Sequence, residues 1–221
     1  MDNKEILSHI DHTLLKAVST EEQIFSLCDE AVRYGTASVC IPPSFVSRVK
    51  EKYGDTLNIC TVIGFPLGYN TTAVKVFETK TAIAEGANEV DMVVNLGDVK
   101  DGRFDRVTEE IRQLKAAAGS HILKVIIETC YLTGEEKIAL CRAVTDAGAD
   151  YIKTSTGFGT AGAKIEDIRL FKQHIGPGVK MKAAGGVRTK EDLELFLSEG
   201  CERIGTSGAV ALLKGDEHTG Y

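Results

Sequence analysis

The sequence predicts an α/β protein, a single-domain (β/α)8 TIM barrel, on three observations. A helical run that ends in glycine and passes straight into apolar residues occurs four times, as EAVRYGTASVC, AIAEGANEVDM, VTDAGADYIKT and FLSEGCERIGT. Four further strand candidates lie between these copies, so eight strands alternate with helices. A chain of 221 residues has room for eight such units around one core and is short for two full domains. Strands joined by helices run parallel with the helices outside them, and eight of them close a barrel. The alternative arrangement is a doubly wound open sheet.

The first strand is short, at Ile10–Asp11. The helix over Glu21–Tyr34 closes at Gly35, where a left-handed backbone costs glycine little, and the second strand follows at once around Val39–Cys40. The third strand spans Leu57–Ile63, and a helix over Thr72–Glu85 stops before Gly86 and leads into the fourth, around Asp91. A helix over Arg103–Ala118 precedes the fifth strand, Leu123–Ile127, and a helix over Thr133–Ala147 precedes Gly148 and the sixth, centred on Ile152. The last units are the helix Ile165–His174, the strand Lys180–Ala184, the helix Lys190–Ser198 and, after Gly200, the strand centred on Arg203. Several helices open on Thr or Ser near a Glu, as a capping box requires. The tail GDEHTGY, from about residue 215, reads as flexible.

Composition narrows the function. A formal charge of −6, with no Lys/Arg run interleaved with aromatics, speaks against nucleic acid as a partner. No stretch approaches the roughly 18 apolar residues of a membrane span, and the charged MDNKEILSHIDHTLLK start lacks a secretory pattern, so the cytoplasm is expected. The six cysteines stand singly and the five histidines form no ligand pair. No metal or other cofactor is expected.

The repeat also says which residues meet. Five positions beyond each glycine lie Cys40, Asp91, Lys153 and Gly205, each preceded by Val39, Val90, Ile152 or Ile204. On a strand the two sets face opposite ways, so the aliphatic set packs on the helices and the other points into the barrel near its carboxyl end. Lys153 is followed by the polar Thr154, Ser155, Thr156 and Gly157, and Lys182 holds the equivalent end of the next strand. Two ammonium groups about 6 Å apart repel by roughly 3 kcal/mol at an effective dielectric near 20. Lowering a lysine from about 10.4 to 7–8 needs roughly 4 kcal/mol, so the pair, with partial burial, suits a nucleophilic amine. Lys180 alternates with Lys182 on the same face and leaves a swap of roles open.

Asp91, between valines, needs a buried partner; the reading is either a structural salt bridge or proton shuttling. Asp11 is either the N-cap of the next helix or a binder of substrate hydroxyls. Lys124 alternates with Ile126 and Glu128 and faces inward, paired with a carboxylate in a supporting role, while Cys40 packs around the substrate. Glycine-bearing turns after the last three strands, STGFGTAG, AAGGVRT and GTSG, let backbone amides approach an anion. Barrel phosphate sites follow strands seven and eight, which selects Gly185, Gly186, Gly205, Thr206 and Ser207, with Thr154 and Gly157 in the preceding turn; Arg188 is either a further contact to phosphate or the opening of the next helix. Tyr221, on its tether, is a candidate to fold over the pocket.

The segments VDMVVN, LKVIIET, GADYIKTSTGF and KAAGGVRT, with ASVCIPP and CTVIGFPLG upstream, resemble the deoxyribose-phosphate aldolases from about Asp11 to the GTSG turn. Gly208 stands where some members carry a second serine. The resemblance implies a (β/α)8 barrel without a metal, and a homodimer or higher assembly. It also implies a Schiff base on Lys153, acid/base work by Lys182 and proton transfer by Asp91. Two rival readings are a transaldolase-type transferase and a non-catalytic phosphosugar-binding barrel.

Overall fold

The computed structural model describes residues 1–214; the proposed tail and Tyr221 lie outside the described residues. The elements follow in the order α1 (Asn3–Leu7), β1 (Ile10–Thr13), α2 (Glu21–Tyr34), β2 (Ser38–Ile41), α3 (Val46–Tyr53), β3 (Ile59–Ile63), α4 (Thr72–Ala84) and β4 (Glu89–Val93). They continue with α5 (Leu96–Lys100), α6 (Phe104–Ala118), β5 (Ile122–Ile126), α7 (Gly134–Asp146), β6 (Tyr151–Lys153), α8 (Ile165–His174), β7 (Lys180–Ala184), α9 (Lys190–Ser198), β8 (Cys201–Thr206) and α10 (Ala209–Lys214). All eight strands pair in parallel with their sequence neighbours, and β1 closes the ring against β8. The open-sheet alternative is thereby excluded.

Local chemistry accounts for the boundaries. Thr20, Thr133 and Thr189 cap α2, α7 and α9 in reciprocal boxes with Gln23, Glu136 and Asp192. The cap of α2 being Thr20, Asp11 is corrected as an N-cap: it belongs to β1, which reaches Thr13. Helix α3, with two buried positions, Val46 and Val49, shows too little apolar periodicity to be read from sequence.

Two apolar layers result. The large one, between strands and helices, takes in Val39, Val90, Ile152 and Ile204, as the repeat predicts. The small one lies inside the barrel and holds Leu15, Cys40, Cys60 and Val62 with Phe65 against them. The rest of the interior carries a cluster of buried charged side chains, with Ser38 and Tyr151 among them. No helix among the described residues is long and apolar enough to cross a membrane.

Candidate active site

Strand register sets the charged interior. Asp91 lies opposite Lys124 across β4 and β5, and Lys153 opposite Lys182 across β6 and β7. The Asp91 carboxylate joins three of the strands: Oδ2 accepts from Lys153 Nζ and Lys182 Nζ, each at 2.7 Å, and Oδ1 from Lys124 Nζ at 3.0 Å. The two lysines sharing Oδ2 are therefore no further apart than twice that distance, as the sequence predicts, but with a carboxylate between them.

A second tier lies below. Lys182 also donates to Asp11, whose carboxylate takes Ser38 Oγ at 2.8 Å and the Arg203 guanidinium. Arg203 Nη2 reaches Glu89 at 2.8 Å, and Glu89 accepts from Lys124. Three carboxylates, Asp11, Glu89 and Asp91, thus face four cations, Lys124, Lys153, Lys182 and Arg203. All but Arg203 are almost fully buried. Burial by itself would raise the Asp91 carboxyl, but Lys124, Lys153 and Lys182 hold it well below the usual carboxylate range. For Lys182 burial acts downward and Asp11 and Asp91 overcome it, so this ammonium is held above its ordinary value. Lys180 is half exposed, starts β7 and pairs with Glu202 at 2.7 Å, which removes it as an alternative to Lys182.

Above the charged floor opens a cavity of about 450 Å³, a size within the range of small-molecule sites. Lys153 is the one member of the charged set on its lining. The walls are Thr13 and Leu15, the stretch 156–162 after β6, the stretch 184–188 after β7, and Gly205, Thr206 and Ser207. Of the expected binding residues, Gly157, Gly185, Gly186, Gly205, Thr206 and Ser207 line it, and exposed Arg188 stands at its rim. Asp11, Cys40, Lys124 and Thr154 do not. Asp11, Cys40 and Lys124 are wholly buried beneath it because they occupy strand positions deeper than the turns, and Thr154, buried directly after β6, is spent on lacing β6 to β7 through Ala184.

Close backbone approach explains two of the glycines. A Cβ on Gly162 would lie 2.3 Å from the Gly185 carbonyl, and Gly185 and Gly186 both adopt positive φ, 77° and 74°. Two turns thereby pack backbone on backbone, with the Ala163 N–H donating to the carbonyls of Ala184 and Gly185, each at 3.1 Å. Gly205 leaves room for Lys182, whose Cε would be 3.2 Å from a Cβ there.

Sequence reasoning missed Glu89 and Arg203, although each stands two residues before an inward position, Asp91 and Gly205, and so shares its face. It also missed Thr13, Leu15 and Thr156, which come from turns and strand ends where no periodicity speaks.

Residues 6–215 match the DeoC/LacD family aldolase profile. The chain is 66% identical over its full length, and the relative's, to a deoxyribose-phosphate aldolase of Clostridium botulinum strain Alaska E43, and 56% identical to one of Clostridioides difficile across 99% of this chain and all of that one. Among solved structures, an aldolase described as QR15 superposes with a TM-score of 0.91 at 36% identity, covering 96% of this chain and 95% of that one. A deoxyribose phosphate aldolase from Aeropyrum pernix, described as a unique tetrameric structure, gives 0.87 at 31% identity over 97% and 92%. With a lysine amine at the floor of a barrel cavity and likeness over its full length to these enzymes, the chain belongs to the DeoC/LacD family of aldolases.

Proposed function

We propose that this chain is one class I aldolase domain, a carbon–carbon lyase of deoxyribonucleoside catabolism. It reversibly cleaves 2-deoxy-D-ribose 5-phosphate to D-glyceraldehyde 3-phosphate and acetaldehyde through an imine on Lys153. The observation that carries the reading is the position of Lys153, on the cavity lining and bonded to a buried carboxylate that also holds Lys182. An uncharged amine here, the form that attacks a carbonyl, leaves three carboxylates against three cations in the barrel.

Lys153 Nζ adds to the open-chain C1 aldehyde, and loss of water leaves an iminium. The iminium draws the electron pair as the C2–C3 bond breaks, and the C3 hydroxyl gives up its proton as that carbon becomes the aldehyde of the departing triose phosphate. Asp91, relayed by Lys182 or water, receives this proton and returns one when the enamine of acetaldehyde is protonated and hydrolysed. Lys182, held cationic by Asp11 and Asp91, keeps positive charge beside the imine.

Backbone amides of Gly185, Gly186, Gly205, Thr206 and Ser207, with Arg188 at the rim, form the phosphate end, and Gly157 the side wall. Asp11, Lys124, Cys40 and Thr154 support the floor. The cycle calls on no metal or cofactor. A homo-oligomer fits the exposed apolar side chains of Leu67, Tyr69, Val74 and Phe77, close together in sequence on the loop after β3 and the start of α4. Six free cysteines fit the reducing cytoplasm.

The test is to incubate the protein with deoxyribose 5-phosphate and borohydride, with and without EDTA, and map the added mass. Label on Lys153, unaffected by EDTA and lost together with activity in Lys153→Leu, is expected. Label on Lys182 would exchange the lysine roles, and binding without label would leave a non-catalytic phosphosugar barrel. Turnover that requires a second aldose as acceptor would make the protein a transaldolase-type transferase.

A further inference from the structure

Glu128, directly after β5, has two features that the aldolase chemistry does not call for. It is the single non-glycine residue with positive φ among the described residues, at φ 52° and ψ 66°. A side chain rarely adopts this conformation, and it persists where the surroundings impose it. Its carboxylate is also buried, at 2% exposure, a position costly for a charged group unless hydrogen bonds receive it.

Besides a long contact from the Cys130 thiol to Oε1 at 3.9 Å, those bonds come from one residue across the barrel rim. The Thr156 N–H is shared between the two carboxylate oxygens at 3.2 and 3.3 Å, and the Thr156 hydroxyl donates to Oε2. The same Thr156 oxygen accepts the Phe158 N–H at 2.9 Å. Further along, Gly159 packs so closely on this group that a Cβ would lie 3.1 Å from Glu128 Cδ and 2.8 Å from Cys130 Sγ. Residues 156–162, which form one wall of the cavity, contain three glycines, and between its ends the stretch is braced by Phe158, packed edge-on against Phe65 at 5.4 Å between ring centroids. Their far end is fixed where Gly162 and Ala163 meet the turn after β7. Their near end is fixed by Glu128.

We infer that Glu128 is a positioning residue: its strained backbone aims a buried carboxylate at Thr156, and the resulting hydrogen bonds hold the wall that receives the sugar between imine and phosphate. This rests on the aldolase reading above. Glu128 does not line the cavity, so its effect falls on substrate binding more than on the bond-making step.

The test compares Glu128→Gln, Glu128→Ala and Glu128→Gly with Thr156→Val by steady-state kinetics, and checks each fold by circular dichroism and thermal unfolding. Losing hydrogen bonds to a charged acceptor in Glu128→Ala is expected to raise KM for deoxyribose 5-phosphate about tenfold or more, with kcat changed much less. Glu128→Gln, which keeps one carbonyl acceptor, is expected to fall between. Glu128→Gly relieves the backbone but lacks the carboxylate, and so should match Glu128→Ala; a KM restored to that of the parent would assign the effect to strain and overturn the inference. Glu128→Ala and Thr156→Val should be non-additive, and additive effects would also overturn it. Borohydride trapping of acetaldehyde on Lys153 separates the two levels. Trapping retained in every folded variant with KM unchanged refutes the role of Glu128 alone, whereas no trapping in the parent refutes the aldolase reading.

Discussion

Replacing Asp91 with asparagine should cost the fold as much as it costs the reaction. The carboxylate accepts from Lys153 and Lys182 at 2.7 Å and from Lys124 at 3.0 Å, all inside the barrel. At an effective dielectric near 20, one unit pair at 2.7 Å attracts by about 6 kcal/mol, against a desolvation cost of several kcal/mol per ion. The net effect of removing one partner from such a buried set is about 3–5 kcal/mol, which for a chain of this size is about 10 °C in Tm. Asparagine keeps the volume, so no cavity term enters, but it leaves two carboxylates against four cations. Urea unfolding followed by circular dichroism at neutral pH reads the loss as a lower midpoint. A compensating change sharpens the test: Asp91→Asn with Lys124→Met restores the parent's net charge, and the double variant should be more stable than Asp91→Asn alone. A loss below about 1 kcal/mol in the single variant, or no recovery in the double, would refute the reasoning that the interior ions hold one another as a set.

Other consequences can be checked on the same protein. Gly162→Ala places a Cβ against the Gly185 backbone, which cannot swing aside as a side chain can, so KM for the phosphosugar should rise by an order of magnitude or more while acetaldehyde is still trapped on Lys153. For pH, Asp11 and Asp91 have carboxyls depressed on folding, so their stabilisation is present above about 3.8 and fades as pH falls through the lower folded values; Lys124 and Lys182 are raised, so theirs is full below about 10.5 and fades at higher pH. Stability measured by urea titration should therefore be broad between these limits, and Asp11→Asn should flatten the acid side. On the outer layer, Lys75 is wholly buried and bonds Glu110 and the Val93 carbonyl, each at 2.9 Å. Lys75→Met should cost about 3–5 kcal/mol, and Lys75→Met with Glu110→Leu should recover most of it, read by thermal unfolding.

The glycine-closed repeat was enough to place Asp91 and Lys153 on one face, because strand alternation is a local rule and a parallel barrel repeats it in register. Lys182 followed from the adjoining strand. Sequence could not show that Asp91 stands between the two lysines, since that depends on Cα register across β4 to β7 and on side-chain reach. It read Lys124 as inward, paired with a carboxylate and supporting, which it is, but had no measure of depth for Cys40 and so put it around the substrate rather than under the floor. Arg203 and Glu89 escaped because a charged residue on a strand is more often solvated, and only closure of the ring brings them together across β8 and β4. Glu128 escaped for the opposite reason: a positive φ at a glutamate leaves no trace in composition.

The division of the apolar residues into a thick outer layer and a sparse inner one has a bearing on how such a protein can be altered. Cohesion resides in the belt between strands and helices, where Ile24, Ile111, Leu140, Phe171 and Leu193 are buried away from the reacting groups. An engineer seeking heat tolerance can work on that belt without touching the tube. Inside the tube each ionic side chain but Lys153 answers to at least two others, so evolution there must proceed by paired exchanges, and new substrates should be reached through the rim turns while the floor stays as it is.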